Sequence, residues 1–143
     1  MYDIQRIGKI IADIAKYQNE LESYHINTKV VLGDNKTYHA SSMVVFALLN
    51  RVIDIGSEML SAENLGAPNT YQDIMPLLAK ANILNKEQAE KLNRLIRKRN
   101  VLAHFYQDMD EKELYQTIQE LSIINDFLKI VKKRMIAHEN NAS

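Results

Sequence analysis

Arg99, Asn100, His104 and Tyr106 lie within the eight-residue stretch Arg99-Asn100-Val101-Leu102-Ala103-His104-Phe105-Tyr106. An arginine, an amide, an imidazole and a phenol at this spacing are suited to cleaving an RNA phosphodiester without a metal. That reaction removes a proton from the 2′-hydroxyl and stabilises the negative charge that gathers as phosphorus becomes pentacoordinate. Histidine titrates near neutrality, which fits it for the proton transfer. Arginine stays charged and presents a planar fork that bridges two phosphate oxygens. Asn100 can orient either group, and Tyr106 offers a hydroxyl to a phosphate and a ring to a base.

On a helix each residue advances about 100°, so Asn100 and His104 share one face and Arg99 and Tyr106 a neighbouring one. Leu102 and Phe105 are left to anchor the segment to a core. The same residues have plainer uses, since a histidine near a helix end often caps or packs, and spacing alone leaves both readings open. Just upstream, Lys91, Arg94, Arg97, Lys98 and Arg99 put five cations into nine residues with no acid. Phosphate contacts dominate nucleic-acid affinity and need such a patch, although a charge run also serves as the solvated face of a helix.

The elements that must position these residues are helical. Prolines number two and glycines four in 143 residues, and apolar positions recur every three or four, which predicts an all-α chain. Ile4, Ile7, Ile11, Ile14 and Leu21 mark the buried stripe of a first helix ending near Tyr24 to Asn27, with a second break at Gly33-Asp34-Asn35. A long helix is expected from about Thr37 to Leu65, burying Val44, Leu48, Val52, Ile55, Met59 and Leu60 and stopped by Gly66-Ala67-Pro68. Thr70 and Asp73 resemble a capping pair for a helix from Tyr71 to Ala81, with a kink at Pro76. Asn85 with Gln88 caps the helix that carries Ala89, Leu92, Leu95 and Ile96 into the motif. Asp110 with Glu113 opens a last helix reaching about Ala137, with Leu114, Ile118, Leu121, Ile124, Leu128 and Val131 buried. Residues 1–138 are thus expected to form a single domain, followed by a polar tail over 139–143.

Composition narrows the chemistry. The absence of cysteine excludes disulfides, thiolate metal sites and thiol catalysis. Eighteen basic residues balance eighteen acidic ones, so any field that attracts nucleic acid must be local. Met1-Tyr2-Asp3-Ile4 lacks the basic and apolar regions of a secretory signal, and the longest apolar run, Met43 to Leu49, is too short to span a bilayer. A cytoplasmic location without membrane association is expected.

The pattern Arg99-Asn100-x-x-x-His104-x-Tyr106 resembles the R-x4-H-x-Y signature of the HEPN superfamily, in the variant found in HepT toxins. Ala47 to Gly56 resembles that family's central helix, and Tyr71 to Ala79 followed by Ile83-Leu84 resembles its next segment. The resemblance covers about Ala40 to Val131. It implies an up-and-down helical bundle of roughly four or five helices that dimerises with two motifs facing each other across a cleft. In many members that cleft is a metal-independent endoribonuclease, and no cofactor is expected. The resemblance also implies a partner, a minimal nucleotidyltransferase (MNT) antitoxin that can adenylylate the motif tyrosine, here Tyr106.

On this reading Arg99 and His104 are catalytic, Asn100 and Tyr106 position substrate, and Lys91, Arg94, Arg97 and Lys98 bind RNA. His104 serves either as the base or as a phosphate ligand, and the products are a cyclic phosphate and a free 5′-hydroxyl. The alternative is a non-catalytic helical module that binds nucleotide or partner and acts with the nucleotidyltransferase.

Other signals carry less. Gly56-Ser57 with Asp108-Met109-Asp110 superficially resembles a nucleotidyltransferase, but some fifty residues separate them. His25, His39 and His138 lack partners at metal-ligand spacing. Arg51, Asp54 and Glu58 share a helix face, with Arg51 and Asp54 read as an intrahelical pair and one of the three as a possible support for the motif. Lys129, Lys132, Lys133 and Arg134 are read as complementing a helix C-terminal dipole.

Overall fold

Most helices begin where a side chain satisfies the otherwise unpaired amides of the first turn. Asp3 accepts from the Arg6 amide at 3.0 Å and opens α1 (Ile4–Ser23). Asp34 accepts from both the amide and the hydroxyl of Thr37, opening α2 (Asn35–Glu63), and these bonds hold its carboxyl below the ordinary range. The Asp73 carboxylate accepts the amides of Asn69 and Thr70 at 3.0 Å each, fixing the 3₁₀ turn Tyr71–Asp73 that leads into α3 (Ile74–Lys80). Asn85 and Gln88 exchange reciprocal bonds of 2.9 and 2.8 Å ahead of α4 (Lys86–His104). Asp110 accepts from the Glu113 amide at 2.8 Å and opens α5 (Glu111–Glu120), which α6 (Ile123–Ala142) follows.

The computed structural model describes residues 1–104 and 106–142, with Tyr106 and Ala142 described by their backbone alone. Among the described residues there are six α-helices and no strand. Polar contacts give the helix directions. Met1 with Ala62, Arg6 with Glu58 and Asp13 with Arg51 run in opposite order along α1 and α2, so the two are antiparallel. Arg94 with Glu120 and Lys98 with Glu113 make α4 and α5 antiparallel in the same way. The architecture is therefore an up-and-down bundle around α2, whose Val45, Leu48, Leu49, Val52, Ile55 and Met59 are buried. Their removal from water supplies the main favourable term for the fold.

The structure changes several details of the expected elements. In α1 the stripe is Ile7, Ile10, Ile14 and Leu21; Ile4 is exposed and Ile11 only half-buried, because α2 selects one of two adjacent isoleucine registers. Helix α2 ends before Gly66: Asn64 takes the left-handed conformation at φ 55°, and the Leu65 amide bonds back to the Leu60 carbonyl at 2.9 Å. Pro76 is the third residue of α3, where no intrahelical bond is available to lose, so the reason for a kink disappears. The expected single last helix is two, divided at Leu121-Ser122, and the second continues to Ala142 through residues expected to be a tail.

One polar cluster fastens the N-terminus. Glu63, at the end of α2, receives the Tyr2 hydroxyl and a two-point contact from the Arg134 guanidinium of α6. Burial pushes the Glu63 carboxyl up, but the bonds from Arg134 and Tyr2 outweigh it and hold the group below its ordinary value. The His138 ring meets the Tyr2 ring edge-on at 5.4 Å. Arg134 is thus an ion-pair partner in the body of α6, which corrects the expectation that the basic run around it lies at a helix end.

Candidate active site

Arg99 lies three, four and seven residues after Ile96, Leu95 and Leu92, all buried, so its register on α4 points the side chain toward α2. A charge placed there needs partners. Its Nε–H donates to Asn50 Oδ1 at 2.7 Å and an Nη1–H to Asn100 Oδ1 at 3.1 Å. Its Cζ stands 5.2 Å from the centroid of the Phe46 ring and 4.9 Å from that of Tyr71, within cation–π range of both. Two of five N–H donors are committed; among the described residues the others are unbonded.

Those donors border a cleft of about 550 Å³. One wall is Ser57 of α2, a second is the Asn69-Thr70-Tyr71 segment, and a third is Arg99, Asn100 and His104 at the end of α4. His104 is exposed as the last residue of that helix. Asn100 turns its oxygen to Arg99, which leaves its amide N–H groups for a ligand. The wall stands close to α2 because residue 56 is glycine: a Cβ there would sit 2.6 Å from Ile74 Cγ2 and 3.5 Å from Met75 Cε. Gly56 and Ser57, set aside in the sequence, are a packing point and part of the cleft.

The structure thus brings Arg99, Asn100 and His104 into one cleft. Tyr106 is separated from them by the end of the α-helix: its backbone opens the 3₁₀ turn Tyr106–Asp108, so the helical register expected to align it with Arg99 does not hold. Its side chain, like Phe105, expected to be an anchor, lies outside the described residues. The basic run divides. Lys91 pairs with Glu87 at 3.0 Å, Arg94 with Glu120 at 3.3 Å and Lys98 with Glu113 at 3.8 Å, while Arg97 is exposed and makes no ion pair among the described residues. Lys91 and Arg94 border a different depression, beside the α5–α6 turn.

Arg51 pairs with Asp54 at 3.3 Å, as expected, and also with Asp13; Glu58 pairs with Arg6. It is Asn50, one position away, that supports the motif. Asp110 is occupied as a helix cap. No group of three or more metal-ligating side chains occurs among the described residues. No local sequence pattern ties Asn50, Phe46 or Tyr71 to the motif. The available signal was Arg99 itself, a cation on an apolar register that had to find an acceptor and rings elsewhere in the chain.

Comparison with known proteins places the chain in a family and matches its fold. Residues 4–134 match the model of the family described as "Ribonuclease HepT-like". The mRNA nuclease HepT of Shewanella oneidensis is 26% identical over 130 residues, 90% of this chain and 87% of that protein. YutE of Bacillus subtilis is 28% identical over 86 residues, 59% of this chain and 60% of YutE. The solved structure of YutE, a cytosolic protein of unknown function, superposes with a TM-score of 0.81 at 23% identity over 96% of this chain and 95% of that one. The tri-AMPylated Shewanella oneidensis HEPN toxin in complex with MNT antitoxin gives 0.83 at 22% identity, over 93% of this chain and 99% of that one.

Proposed function

Because the chain belongs to the HepT-like ribonuclease family, we propose that it is a metal-independent endoribonuclease toxin with its active site in the cleft of Arg99, Asn100 and His104. The observation that carries this reading is the fixation of Arg99, held at Nε and Nη1 and flanked by two rings, with its remaining donors at the cleft beside His104. A guanidinium fixed before substrate arrives pays little reorganisation as charge develops on the phosphate.

In this mechanism Arg99 grips the non-bridging oxygens of the scissile phosphate, and Asn100 donates to the same group. His104 takes the proton from the 2′-hydroxyl or, as imidazolium, shares the phosphate with Arg99. The 2′-oxygen, its proton passed to His104 or to water, attacks phosphorus, and the 5′-oxygen leaves with a proton from water, giving a cyclic phosphate and a 5′-hydroxyl. Arg97, which makes no ion pair among the described residues, supplies charge for flanking phosphates; Lys91, Arg94 and Lys98 are partly neutralised by their acids and contribute less.

The same reading takes the working form as a homodimer with two motifs across one cleft, and the partner as an MNT antitoxin. The Shewanella relative is tri-AMPylated and in complex with MNT antitoxin, which supports a partner of this kind, and the reading assigns Tyr106, the motif tyrosine, as the acceptor. An adenylyl group there would add a bulky anion to the motif segment and repel the substrate phosphate. The test is incubation of purified protein with RNA in EDTA, beside Arg99→Ala and His104→Ala. Cleavage lost in both variants is expected; cleavage surviving both would assign the activity elsewhere. Absence of wild-type cleavage together with tight binding to a nucleotidyltransferase would favour a non-catalytic partner module.

A further inference from the structure

Tyr71 is one of few large apolar side chains left at the surface, 48% exposed, although it sits beside a well-buried core. Its backbone is held rigidly, because Asp73 binds the amides of Asn69 and Thr70 immediately before it and Ile74, wholly buried against Gly56, follows. Its hydroxyl makes no hydrogen bond among the described residues, so neither the phenol nor core burial accounts for the placement. The ring instead forms part of the cleft wall, with the Arg99 guanidinium carbon 4.9 Å from its centroid.

We propose that Tyr71 is a stacking platform for one unpaired nucleobase next to the phosphate held by Arg99, which makes single-stranded RNA the substrate class of the cleft. The inference rests on the ribonuclease reading above and adds the group that selects the strand. Arg99 and Tyr71 are in direct contact, so a phosphate on the one and a base on the other belong to the same or neighbouring nucleotides. A base can reach such a ring only when it is splayed from its stack, which an A-form duplex prevents and a loop or single strand allows. Asn69, whose side-chain amide makes no hydrogen bond among the described residues, stands on the same wall and offers both a donor and an acceptor to the edge of that base. A cation beside an aromatic ring and a base on that ring can act together, as in other single-strand grooves.

Because Tyr71 also touches Arg99, simple loss of activity in a variant would not separate stacking from support. The informative experiment pairs Tyr71→Leu, which keeps bulk against Arg99, with oligonucleotides carrying one abasic nucleotide at each position around the mapped cut. Wild-type protein is expected to lose roughly five- to a hundredfold in kcat/KM at one abasic position, the range for a base–aromatic stack. In Tyr71→Leu that same penalty should shrink to less than about twofold, while Tyr71→Phe should behave as wild type. Duplex RNA of the same sequence should resist cleavage. If wild type cleaves with dependence on His104 but every abasic penalty is unchanged in Tyr71→Leu, the stacking role is overturned and the ribonuclease reading stands. If cleavage does not depend on Arg99 or His104, the underlying reading fails and this one with it.

Discussion

Replacing Asn50 with alanine removes a group that touches no substrate in the proposed mechanism yet should slow the reaction. The side-chain oxygen accepts the Arg99 Nε–H at 2.7 Å in a partly buried setting. A hydrogen bond to a charged donor is worth about 1.5–3 kcal/mol. The rings of Phe46 and Tyr71 and the 3.1 Å bond to Asn100 remain, so the guanidinium stays near its place but gains freedom to rotate about its axis. If most of the lost bond is felt when charge develops on the phosphate, kcat falls about 10- to 150-fold, since about 1.4 kcal/mol is tenfold. Arg99→Ala, which deletes the donors themselves, should cost more, of the order of a hundred- to a thousandfold or beyond. Single-turnover cleavage of a defined oligonucleotide in EDTA, with thermal unfolding run in parallel, measures both effects. A fully folded Asn50→Ala protein cleaving within twofold of wild type, while Arg99→Ala is inactive, would refute the claim that Asn50 positions Arg99.

Three further substitutions probe the frame. Gly56→Ala places a methyl 2.6 Å from Ile74 Cγ2, about 1 Å inside normal contact, and should cost roughly 1–3 kcal/mol in urea unfolding; Ile74→Ala should cost less in that background than in wild type, and strict additivity would contradict the close-packing account. Glu63→Gln should lower stability at neutral pH by about 1–3 kcal/mol. The Glu63 carboxyl is held below its ordinary 4.5 in the folded protein, so its contribution is present above that value and is lost as pH falls below it through the folded pKa; a stability-versus-pH curve should be shallower there in the variant. Arg97→Ala should weaken RNA binding and flatten its salt dependence by about 0.7 log units per log unit of salt, whereas Lys91→Ala, which removes a paired charge, should change both less in titrations over a salt series.

Helix caps were the most legible part of the fold, because Asn85 with Gln88 and Asp110 with Glu113 act over three residues and depend on little else. Buried stripes followed where only one register was apolar, as for Leu92, Leu95 and Ile96. They misled where two were available: Ile10 and Ile11 are adjacent, and only the facing α2 decides between them. The break at Leu121-Ser122 carries neither glycine nor proline, so nothing local announced it. At the site, Arg99, Asn100 and His104 were visible as a short motif. Asn50 and Tyr71, 49 and 28 positions away, join them only through the packing of α2 and the 3₁₀ turn against α4.

The most direct measurement of the central claim, that the cleft activates a 2′-hydroxyl against a phosphate held by Arg99, uses an oligonucleotide with a single 2′-deoxy residue at the mapped cut. In EDTA the protein should leave that linkage intact, and it should give a 2′,3′-cyclic phosphate and a 5′-hydroxyl from the unmodified strand. Scission of the deoxy-substituted linkage, or a 5′-phosphate at the cut, would contradict the account.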